Sequence, residues 1–359
     1  MSTGKDGRCE AWVMTAPQAP LERQERPLPE PGAGEALVEV AGCGVCHTDV
    51  SFLYMGVRTR KDPPLVLGHE ISGTVLQVGE GVSAGLVGRP VIVPAVLPCG
   101  RCDLCTRDQR RICRKQVMPG NDRDGGFASH VCVPARFLCP VPEAALARHE
   151  LWQLAVVSDA VSTPFQAVRR AGVKRGDLAI FIGVGGIGVH GVQAAAASGA
   201  HVIALDVDAA KLEQAMTAGA DSVLDVSGMS PKEIRKQVAA HAAQAGAPAH
   251  MWKIFETSGT AAGQETAFAL LGFGATLAVV GFTMDKPSVR LSNLMAFDAT
   301  AFGNWGCDPL LYPEILEWVA DGRIKIEPFV ERHPLAEANA VLEAAHHGRL
   351  SRRAVLVPA

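Results

Sequence analysis

No run of about 18 uninterrupted apolar residues occurs in this 359-residue chain, which argues against a membrane-spanning helix. The opening stretch MSTGKDGRCEAWV is polar and lacks the apolar centre of a secretory signal, so a cytoplasmic protein is expected. An excess of one charge is also missing. The formal net charge is −3 with 20% charged residues, and there is neither a basic surplus nor an acidic tail. Nucleic acid and membrane surfaces are therefore not expected partners. No internal repeat or low-complexity segment is present. Without an export signal, the ten cysteines read as metal ligands and buried thiols rather than as a disulfide framework. What is there is the composition of a globular protein, 48% hydrophobic, with a chain too long for one ordinary core and suited to two domains.

The texture changes along the chain. From Ala36 to about Pro140, short apolar runs (ALVEVAG, ISGTVLQVG, RPVIVPAV, FASHVCVP) are broken by Gly and Pro, which predicts a β-rich, barrel-type region. From about Asp159, apolar strands such as LAIFIG, HVIALD and DSVLDV alternate with Ala-rich helical stretches, and KIFETSG and ATLAVVGF follow as further strands. That alternation predicts βαβ units on a parallel sheet, so the fold class is α/β. After about Phe302 a helix near Tyr312 to Ala320 and a last strand, RAVLVP, read as a return to the first domain.

Four cysteines, Cys99, Cys102, Cys105 and Cys113, form C-x2-C-x2-C-x7-C, close enough for one loop to wrap a tetrahedral ion. Four thiolates at ~2.3 Å describe a closed structural zinc site with no position left for substrate. An iron–sulfur cluster, a disulfide pair or four unrelated thiols are the alternatives. Gly183, Gly185 and Gly188 form G-x-G-x-x-G directly after an apolar strand and at the start of a helix. Gly183 allows the tight turn, Gly185 lets the backbone approach a pyrophosphate, and Gly188 lets helix and strand pack closely. Gly186 and Ile187 in the same loop, and Lys211 in the following helix, are further candidate cofactor contacts. Asp206 ends the next strand at the expected distance of about 20 residues, where a carboxylate accepts from a ribose 2′-hydroxyl and repels a 2′-phosphate. NAD is therefore expected rather than NADP, with a helix-capping carboxylate as the other role open to Asp206.

Cys46 in GCGVCHTDVS, His69 in LGHEISG and Asp159 in VVSDAVSTPFQ remain as possible ligands of a second ion. Taken singly they are a buried thiol, a satisfied core histidine and a helix cap. Taken together with GHE and the two motifs above, their order and spacing resemble the zinc-dependent medium-chain alcohol dehydrogenases over essentially the whole chain. The resemblance implies a GroES-like catalytic domain at 1–159 with a structural zinc lobe at 95–114, a Rossmann NAD-binding domain at 160–301, and a return to the catalytic domain at 302–359. It implies two zinc ions per chain. Cys46 and His69 map onto the first two ligands of the catalytic ion, and Asp159 falls where the family usually supplies a second cysteine. Glu70 maps onto a carboxylate behind the ligands, able to enter the coordination sphere transiently. Asp49 maps onto the group that orients the ligating histidine through its other nitrogen. Thr48 maps onto the hydroxyl that takes the alcohol proton, and His47 onto a basic position near the cofactor pyrophosphate. Ser51 stands where many members have the histidine that ends the proton relay. The activity implied is oxidation of a secondary cyclic alcohol to a ketone, with an open metal position lowering the alcohol pKa and hydride passing to the nicotinamide.

Arg58, Arg60 and Lys61 crowd a segment that the resemblance places near the mouth of the site. They form either an ordinary solvated loop or a rim for a phosphate-bearing substrate such as a coenzyme A thioester. A small uncharged alcohol or polyol is the alternative substrate. A zinc-free quinone or enoyl reductase and a non-enzymatic NAD-binding protein are the competing classes. Phe52, Tyr54, Phe127 and Trp305 are candidate pocket walls or ordinary core. The resemblance implies a homodimer or homotetramer, with the strand Ala275 to Phe282 and the segment after it as the expected interface.

Overall fold

The computed structural model describes residues 7–359, which divide into two compact units. One runs through Ser162 and resumes over Gly306–Asp321 and Ile326–Ala359, while the other comprises Thr163–Trp305 and Gly322–Lys325. The second unit is thus inserted in the first in chain order.

The first unit is built around the ten-residue strand Glu35–Gly44. It pairs antiparallel with Glu70–Val78, His130–Pro134 and Arg353–Val357, the core of a seven-stranded sheet. Its register slips between Leu37 and Val38 and between Val40 and Gly42, irregularities that bend a strand and re-aim its end. At that end Gly44 pairs with Glu70 on one side and Val355 on the other. A side chain at Gly44 would collide with the Glu70 carboxylate, so glycine here makes room for a buried acid. Val38, Val40, Cys43, Leu53, Leu67, Ile71, Phe127 and Leu356 belong to the apolar core. Phe52 and Phe127 are therefore core residues, and Tyr54 packs on that core with its ring stacked 4.7 Å from His346.

The second unit is a six-stranded, wholly parallel sheet. Its order is Ser222–Asp225, His201–Asp206, Leu178–Ile182, Lys253–Glu256, Thr276–Val279 and Thr300–Gly303. Strand order reverses between Leu178–Ile182 and Lys253–Glu256, the place where doubly wound sheets bind nucleotides. Leu178–Ile182 is buried along its whole length, as a central parallel strand must be. Thr300–Gly303 lies in a stretch, FDATAFG, that does not read as a strand from sequence, because this sheet edge is largely exposed and has no apolar run. It covers Thr276–Val279, so the edge at this end of the sheet is Thr300–Gly303 and not the strand starting near Ala275. Among the described residues no helix is long and apolar enough to cross a membrane.

Candidate functional site

Among the described residues two clusters of ligand-type side chains form, both in the first unit, with donor atoms within 4.8 Å of one another in each: Cys99, Cys102, Cys105 and Cys113, and Cys46, His69, Glu70 and Asp159.

In the four-cysteine lobe, Cys102 Sγ lies 3.5 Å from Cys105 Sγ and 3.7 Å from Cys113 Sγ, and Cys113 Sγ lies 3.6 Å from Cys99 Sγ. A tetrahedron with metal–sulfur bonds of ~2.3 Å has edges of ~3.8 Å, so the thiols already stand at ligand spacing and far beyond the ~2.05 Å of a disulfide. All four are free. Backbone N–H groups supply charge stabilisation here: that of Arg101 is the chief cause that brings the Cys99 thiol down to about 6. Burial pushes Cys105 up to about 12, the cost that a bound cation would remove. Arg110 ties the lobe to the returning chain through Nε at 3.0 and 3.1 Å from the Asp308 carboxylate oxygens.

The second cluster is assembled by Asp49, in the first turn of the helix His47–Tyr54 that Cys46 precedes. Its Oδ2 accepts the Cys46 N–H at 3.0 Å, its Oδ1 accepts the Gly68 N–H at 3.1 Å, and the same Oδ1 lies 3.4 Å from His69 Nδ1. One wholly buried carboxylate thus fastens the Cys46 loop to the His69 loop and aims the imidazole. His69 Nε2 is 3.6 Å and Cys46 Sγ 3.8 Å from Asp159 Oδ2, again the edges of a small coordination polyhedron. Burial alone would push the His69 imidazole down, but Asp49 and Asp159 outweigh it and hold it well above the ordinary value. A thiol, an imidazole and a carboxylate whose donor atoms lie this close together fit a divalent ion with an open position.

Glu70 is wholly buried and paired twice with Arg353, Nε to Oε2 at 3.1 Å and Nη2 to Oε1. Burial pushes the Glu70 carboxyl up and the guanidinium pulls it back, while Arg353 is held charged. Arg353 escaped the sequence reading because it is 283 residues from Glu70 and only the strand pairing at Gly44 joins them. Thr48 sits beside the cluster, its hydroxyl 3.6 Å from Cys46 Sγ. Ser51 does not face outward as a relay group would: its hydroxyl donates to the His47 carbonyl one turn earlier at 2.8 Å, the local bond a helical serine readily makes. His47 is exposed. Arg60 and Lys61 are engaged by acids, Arg60 Nη1 to Asp122 at 3.1 Å and Lys61 Nζ to Asp124 at 2.6 Å, whereas Arg58 is exposed with no ion pair among the described residues.

In the second unit, the glycine motif follows Leu178–Ile182 and opens the helix Gly188–Ala197. A Cβ on Gly188 would overlap the Gly183 carbonyl oxygen, whereas a Cβ on Gly185 would meet nothing within 4 Å. Gly188 is thus spent on packing, and Gly185 presents bare backbone to open space, the cradle that a pyrophosphate needs. Gly186 and Ile187 continue that rim. Asp206 Oδ2 accepts the Val184 N–H of the same loop at 2.8 Å, and its Oδ1 accepts from Val207 and Asp208 N–H at 2.8 and 3.1 Å. Its carboxylate is thereby held at the loop. The cap of the following helix is Asp208, which accepts from Ala210 N–H at 2.9 Å and lies 3.9 Å from Lys211 Nζ. Thr257, unread in the sequence, backs the loop by donating to the Gly183 carbonyl at 2.5 Å.

Two family profiles match the chain: the alcohol dehydrogenase GroES-like domain over residues 32–143, and the zinc-binding dehydrogenase domain over residues 186–321. An alcohol dehydrogenase of Geobacillus stearothermophilus is 30% identical over 94% of this chain and 95% of its own length. Acetophenone reductase from Geotrichum candidum, solved in complex with NAD, is 26% identical with a TM-score of 0.83, covering 98% of this chain and 97% of that one. A thermostable alcohol dehydrogenase from Pyrobaculum aerophilum, solved with cobalt and zinc, is 25% identical with a TM-score of 0.82, covering 98% and 100%. With a GroES-like unit bearing two clusters of ligand side chains and a Rossmann unit bearing a dinucleotide loop, the chain belongs to the zinc-dependent medium-chain alcohol dehydrogenase family and is an NAD-dependent, zinc-binding oxidoreductase acting on CH–OH groups.

Proposed function

We propose that this protein oxidises a cyclic secondary alcohol to a ketone, with Cys46, His69 and Asp159 holding the catalytic zinc and the four-cysteine lobe a structural one. The observation that carries this reading is the convergence of those three donors, with Asp49 and Glu70 behind them. Zinc supplies a Lewis acid that lowers the pKa of an alcohol, and NAD supplies the hydride acceptor. The chain's own part is positioning. Asp49 fixes the ring of His69 so that Nε2 faces Asp159 and Cys46. The Thr48 hydroxyl receives the proton of the substrate hydroxyl. With Ser51 bonded to its own helix, that proton leaves through water rather than along a serine relay. Gly183, Gly185, Gly186, Ile187 and Gly188 line the pyrophosphate site, and Asp206 holds the ribose. His47 and Lys211 complete the cofactor contacts in this reading.

For the substrate we favour a cyclic alcohol carried as a coenzyme A thioester, 6-hydroxycyclohex-1-ene-1-carbonyl-CoA being converted to the 6-oxo compound, as in anaerobic benzoyl-CoA degradation. The support is the cationic segment Arg58, Arg60 and Lys61, of which Arg58 is the member with no carboxylate partner. The pairing of the other two by Asp122 and Asp124 favours the second reading, a small uncharged alcohol. Assembly as a dimer or tetramer through the exposed edge Thr300–Gly303, beside the exposed Leu291 and Met295, and a cytoplasmic setting belong to the same proposal. The deciding measurement is NAD-linked turnover of cyclic alcohols, free and as CoA thioesters, by the parent and an Arg58→Glu variant. A raised Michaelis constant for thioesters alone supports the rim. Equal effects on both, or turnover of free alcohols only, selects the uncharged substrate.

A further inference from the structure

The Ser158 carbonyl, in the residue before Asp159, receives three donors: the Ala95 N–H at 3.3 Å, the Ser162 hydroxyl at 3.1 Å and, closest, the hydroxyl of Tyr312. A carbonyl oxygen has two lone pairs, so a third donor marks a peptide held from every side. The Ser158 side chain is tied down as well. Its hydroxyl lies 3.1 Å from the His69 carbonyl and close to that of Val93. Ser158 and Tyr312 are both buried, and 154 residues separate them. Tyr312 comes from the segment Gly306–Asp321 that returns to the first unit after the inserted one. Ser162, which shares the carbonyl, also reaches Tyr312 Oη at 3.2 Å, and the Ala95 backbone N–H bonds the same hydroxyl.

We infer that Tyr312 and Ser158 form a positioning unit for Asp159, which sets the direction of its carboxylate toward His69 and Cys46. The peptide joining Ser158 to Asp159 is planar, so fixing the Ser158 carbonyl oxygen fixes the Asp159 N–H and the direction in which its Cα continues. The Ser158 hydroxyl, closest to the Val93 carbonyl and 3.1 Å from that of His69, holds its segment against the strand Pro90–Val93 and beside the His69 segment. A carboxylate is a harder and shorter donor than the thiolate usual at this position, so its backbone must bring it closer to the ion, and the clamp on the Ser158 peptide does so. Tyr312 touches neither substrate nor cofactor in this account. The inference rests on Asp159, Cys46 and His69 being the metal ligands.

The test is Tyr312→Phe, which keeps the ring and removes the donor. The expected result is zinc leaving the Cys46–His69–Asp159 site on the order of 10- to 100-fold faster into a chelator, the size of effect seen when groups behind metal ligands are lost. Zinc in the four-cysteine lobe should leave at the parent rate and so act as internal control. Cobalt substituted at the first site should show shifted absorption bands. In an Asp159→Ala background the same substitution should add nothing, whereas a general loss of packing would add its full effect. Should Tyr312→Phe not fold, Ser162→Ala removes a second donor from the same carbonyl and should shift release in the same direction by less. A parent-like release rate and cobalt spectrum in Tyr312→Phe, or an undiminished effect without Asp159, overturns the inference. Two zinc ions retained by both Asp159→Ala and Cys46→Ser would instead overturn the ligand reading beneath it.

Discussion

Replacing Arg353 by Met should cost this protein far more than the lost packing of one side chain. Arg353 is the counter-ion of Glu70, whose carboxylate is wholly buried next to His69, and both oxygens of that carboxylate face the guanidinium. Removing one partner of a buried ion pair costs about 3–5 kcal/mol, because the other is left charged and unsolvated. At 1.36 kcal/mol per power of ten, that corresponds to amide exchange about two to nearly four powers of ten faster in the strands that meet at Gly44, namely Glu70–Val78 and Arg353–Val357. Hydrogen exchange followed by mass spectrometry reads those strands separately from the second unit. Adding Glu70→Gln to Arg353→Met should restore most of the loss, since the stranded charge is then gone. The penalty should also depend on pH. Burial raises the Glu70 carboxyl above its ordinary value, and without Arg353 nothing nearby of equal strength pulls it back. A carboxyl whose folded value lies above its unfolded one, about 4.3, contributes stability fully present below that value and lost as pH rises through the folded one. The variant should therefore be weakest near neutral pH and recover as pH falls toward 5. An acceleration under about tenfold, a double variant no better than the single one, or a penalty that grows on acidification would refute the argument.

Three further outcomes are expected. Gly188→Ala, whose methyl would overlap the Gly183 carbonyl and stand 2.9 Å from Thr257 Oγ1, should weaken NAD binding in calorimetry while both zinc ions remain bound; unchanged NAD affinity would remove the loop from the cofactor site. Asp206→Ser should lower the ratio of kcat/KM for NAD over NADP by about 10- to 100-fold, the worth of one charge-assisted hydrogen bond of roughly 1.5–3 kcal/mol, and an unchanged ratio in steady-state kinetics would place cofactor choice elsewhere. Cys102→Ser should leave one zinc per chain by metal analysis and open the lobe to tryptic cleavage near Arg107 and Arg111; two zinc ions and an intact lobe would rule out a four-thiolate site.

Much of this protein was legible along the chain because its signals are local. The four cysteines lie within one loop, and the G-x-G-x-x-G turn needs only a strand before it and a helix after it. The alternation of apolar strands with helical stretches marks the parallel sheet wherever the strands are buried. It failed at Thr300–Gly303, where an exposed edge strand carries no apolar run to read. Cys46, His69 and Asp159 could be named only through the joint resemblance of the whole pattern, since each taken singly is an unremarkable thiol, histidine or cap.

Sequence alone determined the fold class, the cofactor loop and the four-cysteine lobe, because short-range spacing and hydrophobic period survive without knowledge of which distant segments meet. Tertiary structure alone decided that Arg353 neutralises Glu70, that Asp49 joins two loops, that Tyr312 grips the peptide before Asp159, and that Ser51 turns inward. Buried charges and hydroxyls take whatever partner the strand pairing and the returning chain bring within reach, and that partner can lie hundreds of residues away.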